Sequence, residues 1–335
     1  MNRILVIRLG SLGDVVLATP LLRALRTAFP DARIDALVKP AYAPILQGNP
    51  ALSAIFTTET FASRSRYDAV IDLQNNLSSR RYRRVGEKIF AYRKENWKKF
   101  LLVWFKINLC GDYRSVAERY ALAAEPLGAR LDGKGCEIFL SEAEIRFGLS
   151  HRTHASALAV CFGARHFTKR FPPERFATTL NLLLERTTLD VWLLGGGDDA
   201  PFADEILRRI EKKERVKNFS GRLSLRESAS MLAAADAALS NDTGLMHVAA
   251  AFQKPIVALF GSSVKEFGFL PYKTRFEVLE VAGLKCRPCS HIGRASCPRK
   301  HFKCMMDIPE ARLVEAVEEA LRHASRKSEW ARDAG

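Results

Sequence analysis

Short apolar runs recur along the whole chain, and each run ends in glycine or a small polar residue. They occupy residues 4–7, 34–38, 69–73, 157–163, 191–197, 237–240 and 256–261. Continuous apolar runs of this length, separated by segments of helical spacing such as 41–48, are typical of buried strands in parallel sheets. The pattern therefore predicts two series of alternating strands and helices, that is, two doubly wound α/β units.

A polar stretch at residues 146–154 separates the two series. The chain has 335 residues, which fits two domains of about 150 residues each. We predict an N-terminal domain at 1–149, a C-terminal domain at 150–310, and a helix with a tail at 311–335, where apolar residues recur at helical spacing. Since such sheets bind ligands at the carboxyl ends of their strands, we expect the site in a cleft between the domains.

Composition restricts the class of protein and of partner. Hydrophobic residues make up 47% of the chain and charged residues 27%, which is usual for a soluble globular protein. The sequence contains neither an apolar run of 18 residues nor a secretory pattern near its start, so we expect a cytoplasmic protein. The net charge of +15 favours an anionic partner, such as phospholipid headgroups or a phosphorylated glycolipid. Because no nucleic-acid-binding module is recognisable, we expect no nucleic acid.

The segment RLGSLGD (8–14) follows the first predicted strand and opens a helix. Its small residues allow the backbone to approach a ligand, and the helix start offers free N–H groups. Asp14 lies in the first helical turn, where a carboxylate either caps the helix or acts as a general base. The segment matches neither a dinucleotide-binding fingerprint nor a phosphate loop of the Walker type.

The segment SNDTGLMHVAAA (240–251) follows a strand of the second series and also opens a helix. Thr243 and the backbone N–H groups of Gly244 and Leu245 are suited to hold a pyrophosphate at the positive end of that helix. Asp242 precedes this group. His247 lies one turn further, and it is either part of the site or a half-buried histidine with a structural role.

Two further loops of the second series carry charged candidates. Lys169, in the segment 165–176, can neutralise a diphosphate as it leaves, although a lysine in so basic a chain can equally be a solvated surface residue. The sequence GGGDD (195–199) ends in two carboxylates, and either Asp199 or its neighbour Asp198 can accept hydrogen bonds from ribose hydroxyls.

Residues 79–106 interleave arginine, lysine and aromatic residues and end in FLLVWFK. One interpretation is a face for a membrane surface or a phosphorylated lipid. The other is a solvated helix whose aromatic side packs on the sheet. The sequence leaves both open.

Four of the seven cysteines lie close together late in the chain, at Cys286, Cys289, Cys297 and Cys304. Four thiolates can bind a structural zinc ion in tetrahedral geometry, and His291 or His301 can replace one of them. The second pair lacks the tight spacing of zinc ribbons, so reduced or redox-paired thiols are the alternative.

Three segments together resemble one known family. RLGSLGDVVLATPLL, KRFPPERF and SNDTGLMHVAAAFQKPIVALFG are similar to the ADP-heptose:lipopolysaccharide heptosyltransferases of glycosyltransferase family 9, as is NFSGRLSLRESASMLAAADAALS (218–240). The resemblance implies a GT-B fold, in which two Rossmann-like domains face a central cleft. It also implies inverting transfer of heptose from ADP-heptose to the lipopolysaccharide inner core, either to lipid A–Kdo or to a heptosyl acceptor.

The resemblance also assigns roles to residues. Asp14 matches the catalytic base and Lys169 the donor-phosphate lysine. The remaining expected donor contacts are Gly13, Asp199, Asp242, Thr243, Gly244, Leu245 and His247. The expected acceptor contacts are Ser11, Asn75, Asn76, Ser79 and Arg80.

The family chemistry requires no cofactor, and it implies peripheral contact with the cytoplasmic face of the inner membrane. Two alternatives stay open at this point. One is a family member that uses another nucleotide sugar, and the other is a non-catalytic basic protein that binds nucleotide sugars or glycolipids.

Overall fold

Two parallel sheets organise the chain, one in each half. The structure is a computed structural model that describes residues 1–62, 66–111 and 113–333. The strands of the first sheet are β1 (Arg3–Ile7), β2 (Arg33–Val38), β3 (Ala54–Thr57), β4 (Tyr67–Asp72) and β5 (Gly86–Ala91). They run in the order β3-β2-β1-β4-β5, so the first strand of the chain lies at the centre.

The second sheet contains six described strands. These are β6 (Ser156–Cys161), β7 (Leu189–Leu194), β8 (Val216–Asn218), β9 (Ala237–Asn241), β10 (Ile256–Leu259) and β11 (Phe276–Leu279). Their order is β11-β10-β9-β6-β7-β8, and every pairing is parallel. Central strands such as β6 and β7 are apolar and buried on both faces, as parallel strands covered by helices must be.

Helices cover both sheets. In the first half they are α1 (Leu12–Leu17), α2 (Thr19–Ala28), α3 (Leu77–Arg80), α4 (Asn96–Phe105), α5 (Val116–Ala121) and α6 (Glu142–Ser150). In the second half they are α7 (Pro173–Arg186), α8 (Ala200–Arg208), α9 (Leu225–Ala234), α10 (Gly244–Ala251), α11 (Lys303–Met306) and α12 (Glu310–Asp333). The predicted helix near 41–48 is a 3₁₀ helix at Pro40–Leu46, with Pro44 inside it. Proline has no N–H to donate, which disfavours an α-helix there.

In chain order, α6 falls between the strands of the first sheet and those of the second. It ends at the domain boundary predicted from the sequence. The final helix α12 packs on α7 and on strands β9 and β10 of the second sheet. It buries Leu313, Val314 and Val317 in the core of the second half. No helix within the described ranges is long and apolar enough to cross a bilayer. The α/β architecture expected from the apolar runs is confirmed, with two doubly wound units that meet at α1 and α10.

Candidate active site

The loops that carry the candidate residues leave their strands at the carboxyl ends. In the first sheet Ile7 of β1 pairs with Leu37 of β2 and with Asp72 of β4, so three loops start at one level. In the second sheet Cys161 of β6 pairs with Ser240 of β9. Since parallel strands in register end at the same edge, these loops lie side by side, as doubly wound sheets require of a ligand site.

Asp14 is buried in the first turn of α1 and accepts four polar contacts. The Arg8 guanidinium lies 2.5 Å from its Oδ2, and the Ser11 N–H and hydroxyl donate to the same oxygen at 3.1 and 2.8 Å. The Tyr120 hydroxyl on α5 donates to Oδ1 at 2.8 Å. Asp14 therefore does cap the start of α1, through Ser11, and it is also held rigidly by two groups that capping does not need. With one bond on Oδ1 and three on Oδ2, the free acceptor capacity lies on Oδ1.

These contacts keep Asp14 ionised. Burial raises the pKa of Asp14, but the charge of Arg8 and the hydrogen bonds from Ser11 and Tyr120 outweigh burial, so the pKa lies below its ordinary value of 3.8. Burial, together with the charge of Asp14, raises the pKa of Tyr120 well above 10, so that its hydroxyl stays protonated and donates. The result is a carboxylate of fixed orientation at neutral pH.

On the opposite side of the cleft, Lys169 forms an ion pair with Asp242. The Lys169 ammonium lies 2.6 Å from Asp242 Oδ2, and the Ser263 hydroxyl donates to the same oxygen at 2.6 Å. Burial raises the pKa of Asp242, but the charge of Lys169 lowers it further, and the net effect is a pKa below 3.8. The structure thus holds a half-buried lysine in the loop after β6, already paired with the carboxylate that follows β9.

His247 lies between the two charged groups. Its side chain is buried, and its Nδ1 has no hydrogen-bond partner among the described residues. Burial lowers the pKa of His247 to about 4, although the charges of Asp242 and Asp14 act to raise it. A neutral imidazole therefore lies within the electrostatic reach of both Asp14 and Lys169, and its Nδ1 is buried without a hydrogen-bond partner among the described residues.

Two glycines allow this approach of the two domains. A Cβ on Gly13 would lie 2.6 Å from Cδ2 of His247, and a Cβ on Gly244 would lie 2.8 Å from the side chain of Leu12. Neither distance is compatible with a side chain, so both positions require glycine for α1 and α10 to pack. Gly13, expected as a donor contact, therefore has a packing role that the sequence did not reveal.

The backbone N–H groups at the start of α10 have no side-chain cap. Thr243 is its N-cap residue, and the Thr243 side chain makes no capping hydrogen bond. The first N–H groups, which include those of Gly244 and Leu245, have no partner within the helix and carry its positive dipole end. They are suited to the pyrophosphate predicted for this loop.

The structure separates the two carboxylates that follow the triple glycine. The Asp199 side chain accepts the Gly196 N–H at 3.0 Å, lies 3.6 Å from the Arg170 guanidinium and covers Gly163, where a Cβ would lie 2.1 Å from it. Asp198 is exposed. Burial raises the pKa of Asp199, as expected for a carboxylate that faces the inside of the loop cluster. Asp199 is thus the better placed of the two for the ribose role.

The expected acceptor-binding residues differ in their exposure and in the hydrogen bonds that they already make within the protein. Ser79 is fully buried, and its hydroxyl donates to Asp72 at 2.7 Å, so the prediction that it contacts acceptor is wrong for this conformation. Asn75 donates to the Tyr92 carbonyl at 2.7 Å and accepts from Arg83 at 2.7 Å. These bonds support the backbone turn after β4. Asn76 and Arg80 remain exposed on α3.

The late cysteines are all free thiols. Within the described ranges, no three cysteine, histidine, aspartate or glutamate side chains form a group that could hold a metal ion. Cys286 lies 3.9 Å from Nε2 of His301, one of the two histidines predicted as a substitute ligand. The structural-zinc interpretation stays a prediction, and metal analysis of the purified protein tests it.

Sequence reasoning missed several of the residues that complete the site. Ser263 lies four residues after the end of β10, so a search of the loops that follow strands, which selected Asp242, could have found it. Arg8 lies inside the motif that contains Asp14, but nothing marks it as a partner of that carboxylate. Tyr120 is 106 residues from Asp14 in the chain, and no local pattern points to it.

Comparison with known proteins shows the family to which the chain belongs. The model of glycosyltransferase family 9 (heptosyltransferase) matches residues 62–298. Lipopolysaccharide heptosyltransferase 2 of Escherichia coli K12 is 25% identical over 351 residues, which cover 94% of this chain and 97% of that relative. Lipooligosaccharide heptosyltransferase 2 of Haemophilus ducreyi is 27% identical over 355 residues, covering 95% and 99%.

Among solved structures, the E. coli ADP-heptose lps heptosyltransferase II superposes with a TM-score of 0.77. The identity is 23%, and the match covers 97% of this chain and all of that one. The fold is therefore of the GT-B type, as expected from the sequence. Since the family model matches well over half of the chain, this protein belongs to glycosyltransferase family 9, the heptosyltransferases.

Proposed function

We propose that this protein transfers heptose from ADP-heptose to the inner core of lipopolysaccharide, with inversion at the anomeric carbon. Its relatives are named for heptose transfer to lipopolysaccharide or lipooligosaccharide, and they match it over nearly their whole length. One observation of the structure carries the proposal. Asp14 of one domain and the Lys169–Asp242 pair of the other both lie close enough to His247 for their charges to act on it, so a carboxylate and a cation face one site.

Asp14 is the proposed base. An acceptor hydroxyl hydrogen-bonds to Oδ1, attacks the anomeric carbon from the side opposite the diphosphate and gives its proton to Asp14. The new carbon–oxygen bond forms as the bond to ADP breaks, and the bonding pair leaves with the diphosphate. A low pKa makes Asp14 a weak base, which suits a proton transfer that occurs late, when the attacking oxygen has become acidic.

The leaving diphosphate needs positive charge rather than a proton. Lys169 and the uncapped N–H groups at the start of α10 supply that charge. In this scheme Asp199 accepts hydrogen bonds from the ribose, and His247 contacts the donor. The proposed step uses no cofactor.

The acceptor belongs to the side of the first domain. Asn76, Arg80 and Ser11 are exposed near the carboxyl ends of β4 and β1 and can reach hydroxyl or phosphate groups. Because a lipopolysaccharide precursor is anchored in lipid, we also propose peripheral contact with the cytoplasmic face of the inner membrane.

Substitution of Asp14 tests the proposal. Asp14→Asn keeps the shape of the side chain and removes the base, so transfer should fall by a factor of about 100 or more while ADP-heptose still binds. Asp31→Asn, at an exposed carboxylate before β2, is the matched control and should transfer normally. Undiminished turnover in Asp14→Asn would refute the assignment.

The choice of donor needs its own measurement. A thermal-shift comparison of ADP-heptose with other nucleotide sugars should show stabilisation by ADP-heptose at the lowest concentration, since stabilisation follows the ratio of ligand to Kd. Stronger stabilisation by another nucleotide sugar would favour a different donor. Stabilisation without transfer to any truncated lipopolysaccharide would favour a non-catalytic binding protein.

A further inference from the structure

Helix α4 presents an aromatic face to solvent. Its exposed side chains are Trp97 (58% exposed), Phe100 (54%), Trp104 (64%) and Phe105 (61%). Only Leu102 of this helix is buried. Of the two interpretations open from the sequence, packing of the aromatic face on the sheet is therefore wrong.

The spacing of these residues makes the face continuous. Trp97, Phe100 and Trp104 are three and four residues apart, which places them on one side of a helix. The Phe100 ring centroid lies 6.3 Å from that of Trp104 and 5.9 Å from that of Phe105. Four such rings expose on the order of 400 Å² of surface, as much as the largest apolar patch of a typical monomer, and patches of that size mark interaction sites.

The charge around the face is strongly positive. Residues 79–106 contain ten lysines and arginines and two glutamates, and so contribute +8 to the net charge of +15. Within α4 the Lys98 ammonium lies 5.8 Å from the centre of the Trp97 ring and pairs with Glu95. Aromatic rings beside lysines match the border of an anionic bilayer, where apolar chains meet negative headgroups.

A second copy of this chain fits the face less well. A symmetric dimer through α4 would place the same basic surface on both sides of the interface, and like charges would oppose each other. An anionic bilayer instead supplies the opposite charge along the whole face.

The position of α4 also connects it with the candidate site. A cavity of about 1020 Å³ lies beside the helix and is lined by Trp97, Lys98, Lys94, Tyr92 and Arg119, among others. The Tyr92 ring packs edge-on against that of Tyr120, at 5.0 Å between centroids. Because Tyr120 bonds to Asp14, the cavity joins the exposed helix to the wall of the site.

The end of α4 is fixed to the second domain. The Lys106 ammonium, directly after the helix, donates to the carbonyl of Pro288 at 2.6 Å and to that of Val103 at 2.8 Å. This contact links the C-terminal end of α4 to the second domain, so a surface that binds α4 lies next to both domains.

We infer that α4 docks the protein on an anionic phospholipid bilayer, with the rings of Trp97, Phe100, Trp104 and Phe105 among the headgroups. Docking brings the mouth of the adjacent cavity to the level of the headgroups, where the sugar of a lipid-linked acceptor lies. Only the statement about the lipid-linked acceptor rests on the proposed function, because binding to the bilayer does not depend on catalysis.

Vesicle binding tests the inference directly. The variant Trp104→Ser with Phe105→Ser removes two exposed rings that do not line the cavity. The matched control is Ile145→Ser with Leu149→Ser, at two exposed apolar residues of α6. Wild type and control should bind vesicles of phosphatidylcholine with phosphatidylglycerol, and the α4 variant should bind at least about tenfold more weakly. Binding to pure phosphatidylcholine, or at high salt, should be weaker for all three proteins.

Two results would overturn the inference. One is equal vesicle binding by the wild type and the α4 variant. The other is a wild type that does not bind vesicles but dimerises in light scattering, with the dimer lost in the α4 variant, because the face would then bind a second copy.

A transfer assay separates this inference from the proposed function. With an acceptor embedded in anionic vesicles, the α4 variant should be about tenfold slower than the control. With a short water-soluble acceptor, the two should be equal. If no protein transfers heptose to either acceptor while vesicle binding follows the expected pattern, the proposed function fails and the docking surface stands.

Discussion

Buried His247 gives the protein a sensitivity to acid that can be calculated. Burial holds the pKa of His247 at about 4 in the folded protein, compared with 6.5 in an unfolded chain. As pH falls below 6.5 the unfolded chain gains a proton that the folded protein does not accept, so stability present above 6.5 is lost on acidification. At about 1.4 kcal/mol per pKa unit, the loss is about 2 kcal/mol by pH 5 and about 3 kcal/mol below pH 4.

The variant His247→Asn lacks this titrating group. The difference in stability between wild type and variant should therefore become smaller as the pH falls. The variant should be less stable at about pH 8, because a buried ring is lost. Between about pH 7 and pH 5, however, wild type should lose about 2 kcal/mol more than the variant in urea unfolding followed by circular dichroism. The comparison at about pH 7 and pH 8 is the internal control, since the difference should be constant there.

A direct titration checks the same reasoning. In a histidine-selective NMR titration, the resonance that is missing from His247→Asn should titrate near 4 in wild type. A resonance that titrates near 6.5, or a stability difference that does not change between about pH 7 and pH 5, would refute the account of a neutral, buried imidazole in this site.

Other contacts of the site lead to two further predictions. Tyr120→Phe removes the 2.8 Å hydrogen bond to Asp14 and should raise the pKa of that carboxyl. In the proposed mechanism activity requires ionised Asp14, so the acid limb of the profile of kcat/KM against pH should move upward by about one unit, and an unchanged limb would contradict the role of Tyr120. Lys169→Ala removes the cation 2.6 Å from Asp242 and should weaken ADP binding at least about tenfold by calorimetry, whereas unchanged affinity would mean that the phosphate lies elsewhere.

The strands predicted from the sequence and the strands not predicted lie at different positions in the sheets. Every central strand was visible as an apolar run, because helices cover both of its faces. The missed strands are β3, β5, β8 and β11, which lie at the edges of the two sheets. Their residues are partly exposed, as in GEKIFA of β5, so no continuous apolar run marks them. Edge strands are the part of a parallel fold whose hydrophobic pattern is weakest.

The site shows a similar division. Asp14, Lys169 and Asp242 lie in loops directly after strands or opening helices, and local motifs were sufficient to select them. Some partners that set their charge states lie in the same motif, as Arg8 does for Asp14, whereas Tyr120 comes from a distant part of the chain. Ser79 was selected for its polarity and position, but only the packing shows that its hydroxyl is used by Asp72.

The Lys169–Asp242 ion pair has a consequence for turnover. The lysine already holds a carboxylate, so in the proposed function an incoming diphosphate has to compete with Asp242 for the same ammonium group. The competition reduces the affinity for the donor, and it reduces the affinity for ADP to a similar degree. After each transfer the carboxylate is available to recapture the lysine, which favours departure of the spent nucleotide and limits inhibition by accumulated product.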